Sequence, residues 1–309
     1  MSVCVVGHAN PDTDSIAAAI AYAHYLKATG TDAKACAQIE AAKINPESKV
    51  VLARYGLAAP ETMMDAEGKD VALVDFSDIA QAPANIMKAN VTAIVDHHKI
   101  GDITTGSPIF FYNKPVGCTC TVLFEMFKSN KVDLPKNVAG AMLCAILSDT
   151  VNFKSPTCTP EDKAAVKELL AIAGESDQDG LFMEMLKAKS SVDGVPIKDL
   201  IFRDYKDFDM GGKKVGIGQI ELATLDQVAA IRNDLYNALA DLKKEGRHTV
   251  LFMLTDVVKE GTDLMVVSDE PAVIEGAFGT KLAGQSMWVN GMMSRKKQTV
   301  PPLQKAFGA

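Results

Sequence analysis

Three histidines and a set of carboxylates sit where short apolar stretches end, and that combination has a chemistry. Val3–Val6 runs into Gly7-His8-Ala9-Asn10-Pro11-Asp12-Thr13-Asp14-Ser15, Val71–Val74 into Asp75, and Thr92–Val95 into Asp96-His97-His98. A further carboxylate, Asp149, follows the apolar stretch Ala141–Leu147. Only 5 histidines exist in the whole chain. Singly, each residue has an ordinary explanation: Asp12 or Asp14 as a helix N-cap, Asp75 as a turn cap, His97 and His98 as loop residues bonded to backbone. Together they would crowd like charges into one crevice, where they repel unless a cation lies among them. The pattern points to a metal site.

The candidate ligands are His8, Asp12, Asp14, Asp75, His97 and Asp149. Four carboxylates and two imidazoles without a thiolate suit manganese or magnesium, and the imidazoles favour a transition ion. The same set counts against a structural zinc. Six ligands would fill one octahedral shell. Shared between two ions, with one carboxylate bridging, they leave positions open on both. A pair about 3.5–4 Å apart can activate a bridging hydroxide and hold an oxygen of the electrophile. The expected chemistry is hydrolysis of a phosphoryl group.

The elements that must position these residues follow from the pattern. In open α/β sheets ligands gather at the carboxyl ends of strands. The first half of the chain alternates short apolar runs with helical stretches, which predicts an α/β fold with a mainly parallel sheet flanked by helices. Strands are expected at Val3–Val6, Ala33–Ala37, Val71–Val74 and Thr92–Val95. Helices are expected at Ser15–Lys27, Pro46–Tyr55, Thr119–Lys128, Pro135–Leu147 and Pro160–Ala173. At 309 residues the chain exceeds the usual single core. Two domains are expected, 1–188 and 196–309, joined by a small polar linker at 189–195. The second is a smaller mixed α/β domain, suited to act as a lid. It should hold a hairpin around Met210-Gly211-Gly212, a helix over Leu225–Lys244, and strands at Thr249–Leu254 and Leu264–Val267.

Composition narrows the class. The formal net charge of −7 counts against a nucleic-acid binder, whose footprint is normally basic. With 48% hydrophobic and 23% charged residues the chain is too apolar for disorder. No apolar run reaches the roughly 18 residues of a membrane span, and the first residues lack a signal-peptide pattern. The 6 cysteines are spread thinly and mostly within apolar runs, the usage of reduced, buried thiols. A cytoplasmic protein is expected.

These residues also carry a resemblance. Asp96-His97-His98 is the signature of the DHH phosphoesterase superfamily, and His8-x-x-Pro11-Asp12-x-Asp14-Ser15 is similar to its first motif. Ser294-Arg295-Lys296-Lys297-Gln298 matches the SRKKQ signature of the family II, manganese-dependent inorganic pyrophosphatases. Asp204-Tyr205-Lys206-Asp207-Phe208 with Gly216-Ile217-Gly218-Gln219 also resembles that class. The resemblance runs from His8 to Gln298, with no departure at a ligand position and no insert between Asp75 and Asp96.

What it implies is hydrolysis of diphosphate to two orthophosphates in a site between two domains. One Mn2+ would be held by His8, Asp12 and Asp75, and the other by Asp14, Asp75, His97 and Asp149. Co2+ or Mg2+ can replace manganese, and a further Mg2+ or Mn2+ accompanies the substrate. His98 would bond a phosphate oxygen or the bridging oxygen, while Asn10 contacts substrate or shapes its loop. Lys206, Arg295 and Lys296 would grip the phosphates, Lys297 remaining structural. Pyrophosphate carries three to four negative charges, so cations that neutralise it in the transition state are what the reaction needs. A homodimer through the first domain is also implied. Other readings are a DHH-type phosphodiesterase or exonuclease, an exopolyphosphatase, or a non-catalytic metal or nucleotide sensor.

Overall fold

The computed structural model describes residues 2–308; Met1 and Ala309, the outer limits of the expected domains, lie outside the described residues. Contacts divide the chain into Met1–Lys189 and Ser190–Ala309.

In the first unit the order is β1 (Val3–Val6), α1 (Thr13–Ala28), β2 (Ala33–Ala37), α2 (Pro46–Arg54), β3 (Glu61–Thr62), β4 (Asp70–Val74), β5 (Asn90–Asp96) and β6 (Phe110–Asn113). Then follow α3 (Thr119–Ser129), α4 (Lys136–Asp149), α5 (Pro160–Ala173) and α6 (Gln178–Lys189). All six strands pair in parallel, in the order β3-β2-β1-β4-β5-β6. A parallel sheet is covered on both faces, so its central strands are apolar throughout. Every residue of β1 is buried, as are Val71–Val74 in β4. Because β2 and β4 lie on opposite sides of β1, the order reverses there, and a crevice opens beyond the strand ends.

Local chemistry starts the helices around this crevice. Asp12 caps α1 by accepting from the Ser15 amide at 2.9 Å, and Asn45 with Pro46 opens α2. Gly7 lets the first turn of α1 press onto the end of β1: a Cβ at residue 7 would lie 1.9 Å from Ser15 Oγ. Helix α4 is buried over the whole of Val138–Leu147, as a helix apolar on every side must be, and it ends on Asp149.

The second unit holds α7 (Ile197–Phe202), β7 (Tyr205–Met210), β8 (Lys213–Leu222), α8 (Arg232–Lys244), β9 (Thr249–Asp256), β10 (Gly261–Ser268), α9 (Pro271–Phe278), β11 (Ser286–Asn290) and α10 (Val300–Phe307). Its sheet, in the order β11-β10-β9-β8-β7, is mixed, with β8 and β9 parallel and the other pairs antiparallel. Gly211 and Gly212, at φ +60° and +75°, form the two-residue turn of the expected β7–β8 hairpin. Ser190, inside the expected linker, accepts from the Ala223 amide at 3.1 Å, and Val192 is buried with Leu200.

One expectation needs correction. Leu225–Lys244 is not one helix: Leu225–Ile231 is a tight 3-10 segment, and α8 starts only at Arg232. The Gln227 side chain folds back to accept from the Ala223 amide at 2.7 Å, tightening the first turns. Starting within the SRKKQ stretch, Arg295–Thr299 form a π-helical turn feeding α10. Ser294 caps that turn, and the Gln298 amide group bonds Met293 N, Ser294 N and Gly291 O.

No helix among the described residues is long and apolar enough to cross a membrane. His24 stacks on Phe127, and His248 meets Glu270 at 3.4 Å, a partner distant in sequence.

Candidate metal centre

The strand-end residues converge. His8 and Asp12 follow β1, Asp14 opens α1, Asp75 follows β4, His97 and His98 follow β5, and Asp149 ends α4. His8, Asp12 and Asp75 form one group, and Asp14, His97 and Asp149 another, with the ligand atoms of each within 4.8 Å of one another. Asp75 reaches both. Its Oδ2 lies 3.3 Å from His8 Nε2, and its Oδ1 lies 3.4 Å from His97 Nε2. One carboxylate thus presents one oxygen to each group. Its backbone adopts φ +68°, a left-handed conformation that aspartate tolerates better than most residues.

The histidines are oriented from behind. His8 Nδ1 bonds the Ala9 carbonyl at 2.8 Å and His97 Nδ1 the Val116 carbonyl at 2.9 Å. A carbonyl only accepts, so each Nδ1 carries a proton and each Nε2 turns toward the carboxylates. This is the arrangement metal-binding imidazoles use. His98 is half-exposed and bonds Asp96 Oδ1 through Nδ1 at 2.9 Å, with Asp75 Oδ1 3.7 Å away. Asp96 itself is wholly buried and also accepts the amides of His97 and His98.

Residues not singled out in the sequence complete the surroundings. The Thr119 and Cys120 amides, at the start of α3, donate to Asp14 at 2.7 and 3.1 Å, and Thr119 Oγ1 donates to Asp75 Oδ1 at 2.9 Å. A helix N-terminus favours a carboxylate in this way. Cys118 and Cys120 are fully buried beside Asp14, and burial pushes both thiols well up. With Asp14 they form a further group whose potential ligand atoms lie within 4.8 Å of one another. Asn10, exposed with φ +53°, shapes the loop between His8 and Asp12.

Electrostatics record the crowding. Burial and then the charge of Asp75 raise Asp14 to about 7, and burial with Asp14, Asp12 and Asp75 pushes Asp149 well up. Burial opposes charge on His8 and His97, yet the neighbouring carboxylates outweigh it and raise them to about 11 and about 9. Burial likewise works against ionised Asp75, but His8 and His97 hold its carboxyl far below the usual range. Protons are thus gathered where cations would do the same work.

In the second unit Lys206 lies exposed on β7, and Arg295 and Lys296 open the π-helical turn. The Arg295 guanidinium bonds Asp204 through its carbonyl and, at 2.6 Å, through Oδ1. It also reaches the carbonyl of Ile217, the register partner of Lys206. The Arg295 amide is held by Gln219 Oε1 at 3.2 Å.

Comparison with known proteins gives consistent results. The model of the DHH family, N-terminal domain, matches residues 2–146, and that of the DHHA2 domain matches residues 183–306. An Archaeoglobus fulgidus protein named "Probable manganese-dependent inorganic pyrophosphatase" is 52% identical, covering 99% of this chain and 98% of its own. A Methanothrix thermoacetophila protein named manganese-dependent inorganic pyrophosphatase is 46% identical over 99% of this chain and 98% of its own. The crystal structure of a Methanococcus jannaschii protein assigned to family II of the inorganic pyrophosphatases is 43% identical, covers 100% of both chains and superposes with a TM-score of 0.63.

Proposed function

Since the chain belongs to the manganese-dependent, family II inorganic pyrophosphatases of the DHH superfamily, we propose a division of labour among its residues for that reaction. The protein is an inorganic pyrophosphatase: it hydrolyses diphosphate to two orthophosphates and uses Mn2+. The donor set fits that ion, with four carboxylates and two imidazoles turned inward by backbone carbonyls. His8, Asp12 and Asp75 would hold one ion; Asp14, Asp75, His97 and Asp149 would hold the other. When bound, the pair supplies positive charge against the diphosphate and lowers the pKa of water into the neutral range.

The chain's own groups do the rest. Asp75 ties the two groups together, and the α3 amides hold Asp14 in place. The bond to Asp96 raises His98 and leaves its Nε2 free to donate to a phosphate oxygen. Lys206, Arg295 and Lys296 bind the phosphates, Arg295 with a planar fork that can take two oxygens and the lysines as point charges. The observation that carries this reading is the single carboxylate with one oxygen in each ligand group. The test is phosphate release with Mn2+ on diphosphate, long polyphosphate and dinucleotides. Diphosphate should give the highest kcat/KM by far. A preference for polyphosphate or a dinucleotide would transfer the chain to a different DHH activity, and release from none would leave only a metal-binding role.

The raised histidines predict a pH dependence. In the metal-free chain His8 and His97, at about 11 and about 9, hold their protons at neutral pH. Mn2+ must displace them from Nε2, so affinity should rise as pH rises and fall as pH falls. Calorimetry near pH 7.5 in buffers of different ionisation enthalpy should show at least about two protons released per pair of ions, from His8 and His97, with the raised Asp149 adding to them. A binding heat independent of the buffer would contradict this.

The six thiols, none paired, fit a reducing compartment, which supports a cytoplasmic location. We infer a homodimer through the first unit, and the edge strand β6 supports it, since Phe110 and Phe111 there are 49% and 43% exposed. An uncovered strand edge with aromatic side chains is a template for a second copy. Sedimentation should show a dimer at micromolar concentration, and lysine at both positions should yield monomers. A wild-type monomer, or a dimer that survives both substitutions, would rule out this interface.

A further inference from the structure

Asp162, near the start of α5, touches none of the six ligands, yet its bonds lead to three of them. Its carboxylate is wholly buried. Such a group persists only when donors surround it, and four do. The Thr159 amide and hydroxyl each donate to Oδ2 at 2.7 Å, and the Asp162 amide donating to Thr159 Oγ1 at 3.4 Å completes an ordinary capping box. The other two donors have no part in capping α5. The Gly117 amide reaches Oδ2 at 2.9 Å, and Thr121 Oγ1 reaches Oδ1 at 2.6 Å. Gly117 is shaped for this contact, since a Cβ there would lie 2.8 Å from Asp162 Oδ2 and 2.8 Å from Thr150 Cγ2.

Gly117 and Thr121 enclose Thr119 and Cys120, and Val116 directly precedes Gly117; these residues face the candidate metal centre. Val116 supplies the carbonyl that fixes His97, Thr119 and Cys120 supply the amides on Asp14, and Thr119 supplies the hydroxyl on Asp75. We propose that Asp162 is a positioning residue of the metal centre. By clamping residues 117 and 121 it fixes the start of α3, and through it the oxygens of Asp14 and Asp75 and the ring of His97. A carboxylate suits the place because it accepts from all four partners; an amide of the same shape loses the charge and keeps the bonds to one oxygen only if its NH2 faces Thr121, whose hydroxyl must then turn and accept. This inference rests on the reading that those ligands hold manganese.

The experiment titrates Mn2+ into wild type, Asp162→Asn, Thr121→Val and Thr159→Ala, following free Mn2+ by electron paramagnetic resonance, with the Tm of each metal-free protein recorded beside it. Outer-shell partners of metal ligands typically control affinity by about 10–100-fold. Asp162→Asn should weaken Mn2+ binding by about that factor, and Thr121→Val should weaken it in the same direction but less. Thr159→Ala, which removes the cap hydroxyl alone, should lower Tm while Mn2+ affinity stays within about twofold of wild type. Equal losses of Tm with unchanged Mn2+ affinity in all three variants would reduce Asp162 to a helix cap. Should Asp162→Asn not fold, Thr121→Val decides, and an unaltered affinity there overturns the proposal. A wild-type protein that takes up no Mn2+ would instead sink the metal reading on which this stands.

Discussion

Alanine in place of Asp75 should abolish turnover and weaken Mn2+ at both positions together. The side chain gives Oδ2 to the His8 group and Oδ1 to the His97 group, so its removal takes a ligand from each. It also takes from His8 and His97 one of the carboxylates that offset their burial, Asp12 and Asp14 remaining, and frees the Thr119 hydroxyl. A single oxyanion donor is worth about 10²–10³ in kcat. A ligand shared by two ions should exceed that, so a loss beyond about 10³-fold is expected. Asp75→Asn separates charge from shape, because asparagine also accepts the left-handed backbone. It should retain the fold while losing most of the metal. Wild-type stoichiometry and rate in either variant would refute the two-ion arrangement.

Arg295→Ala is the second large effect, and its signature differs. The guanidinium lies in the second unit on Asp204 and the Ile217 carbonyl, whereas every candidate metal ligand belongs to the first unit. Its loss should leave Mn2+ affinity and stoichiometry at wild-type values. The rate, kcat/KM on diphosphate, should fall by about 10²-fold or more, the scale of a charge-assisted contact made in the transition state. Arg295→Lys should recover little of this, since an ammonium cannot present two parallel donors. The comparison to make is metal content against rate on the same samples. If the alanine variant loses manganese, Arg295 supports the metal centre and not the substrate.

Much of the candidate centre was legible because its candidate ligands are unusual residues in unusual places. An aspartate or histidine directly after an apolar strand stands out, and the strand-end rule then brings β1, β4 and β5 together. Asp149 could be read because an apolar helix stops on it. Thr119, Cys120 and Asp162 could not. Two act through backbone amides, which every residue has, and Asp162 follows Thr-Pro-Glu in what reads as a plain helix start. Its partners at Gly117 and Thr121 are 45 and 41 residues away, a pairing that only the packing of α3 on α5 creates. The misread pieces of the fold have similar causes. Strand β6 is half-exposed and lacks the buried run of its neighbours. The divided helix after Thr224 depends on one glutamine turning back on its own chain.

The backbone of Asp75 has a longer-term consequence. A glutamate would offer the same head group one methylene further out, on a residue with little tolerance for positive φ. Of the two acidic amino acids, only the shorter one suits both the reach and the twist of the main chain. Genetic drift between aspartate and glutamate, harmless on most surfaces, is therefore closed at this codon, and any lineage that leaves aspartate there gives up the shared anchor in a single step.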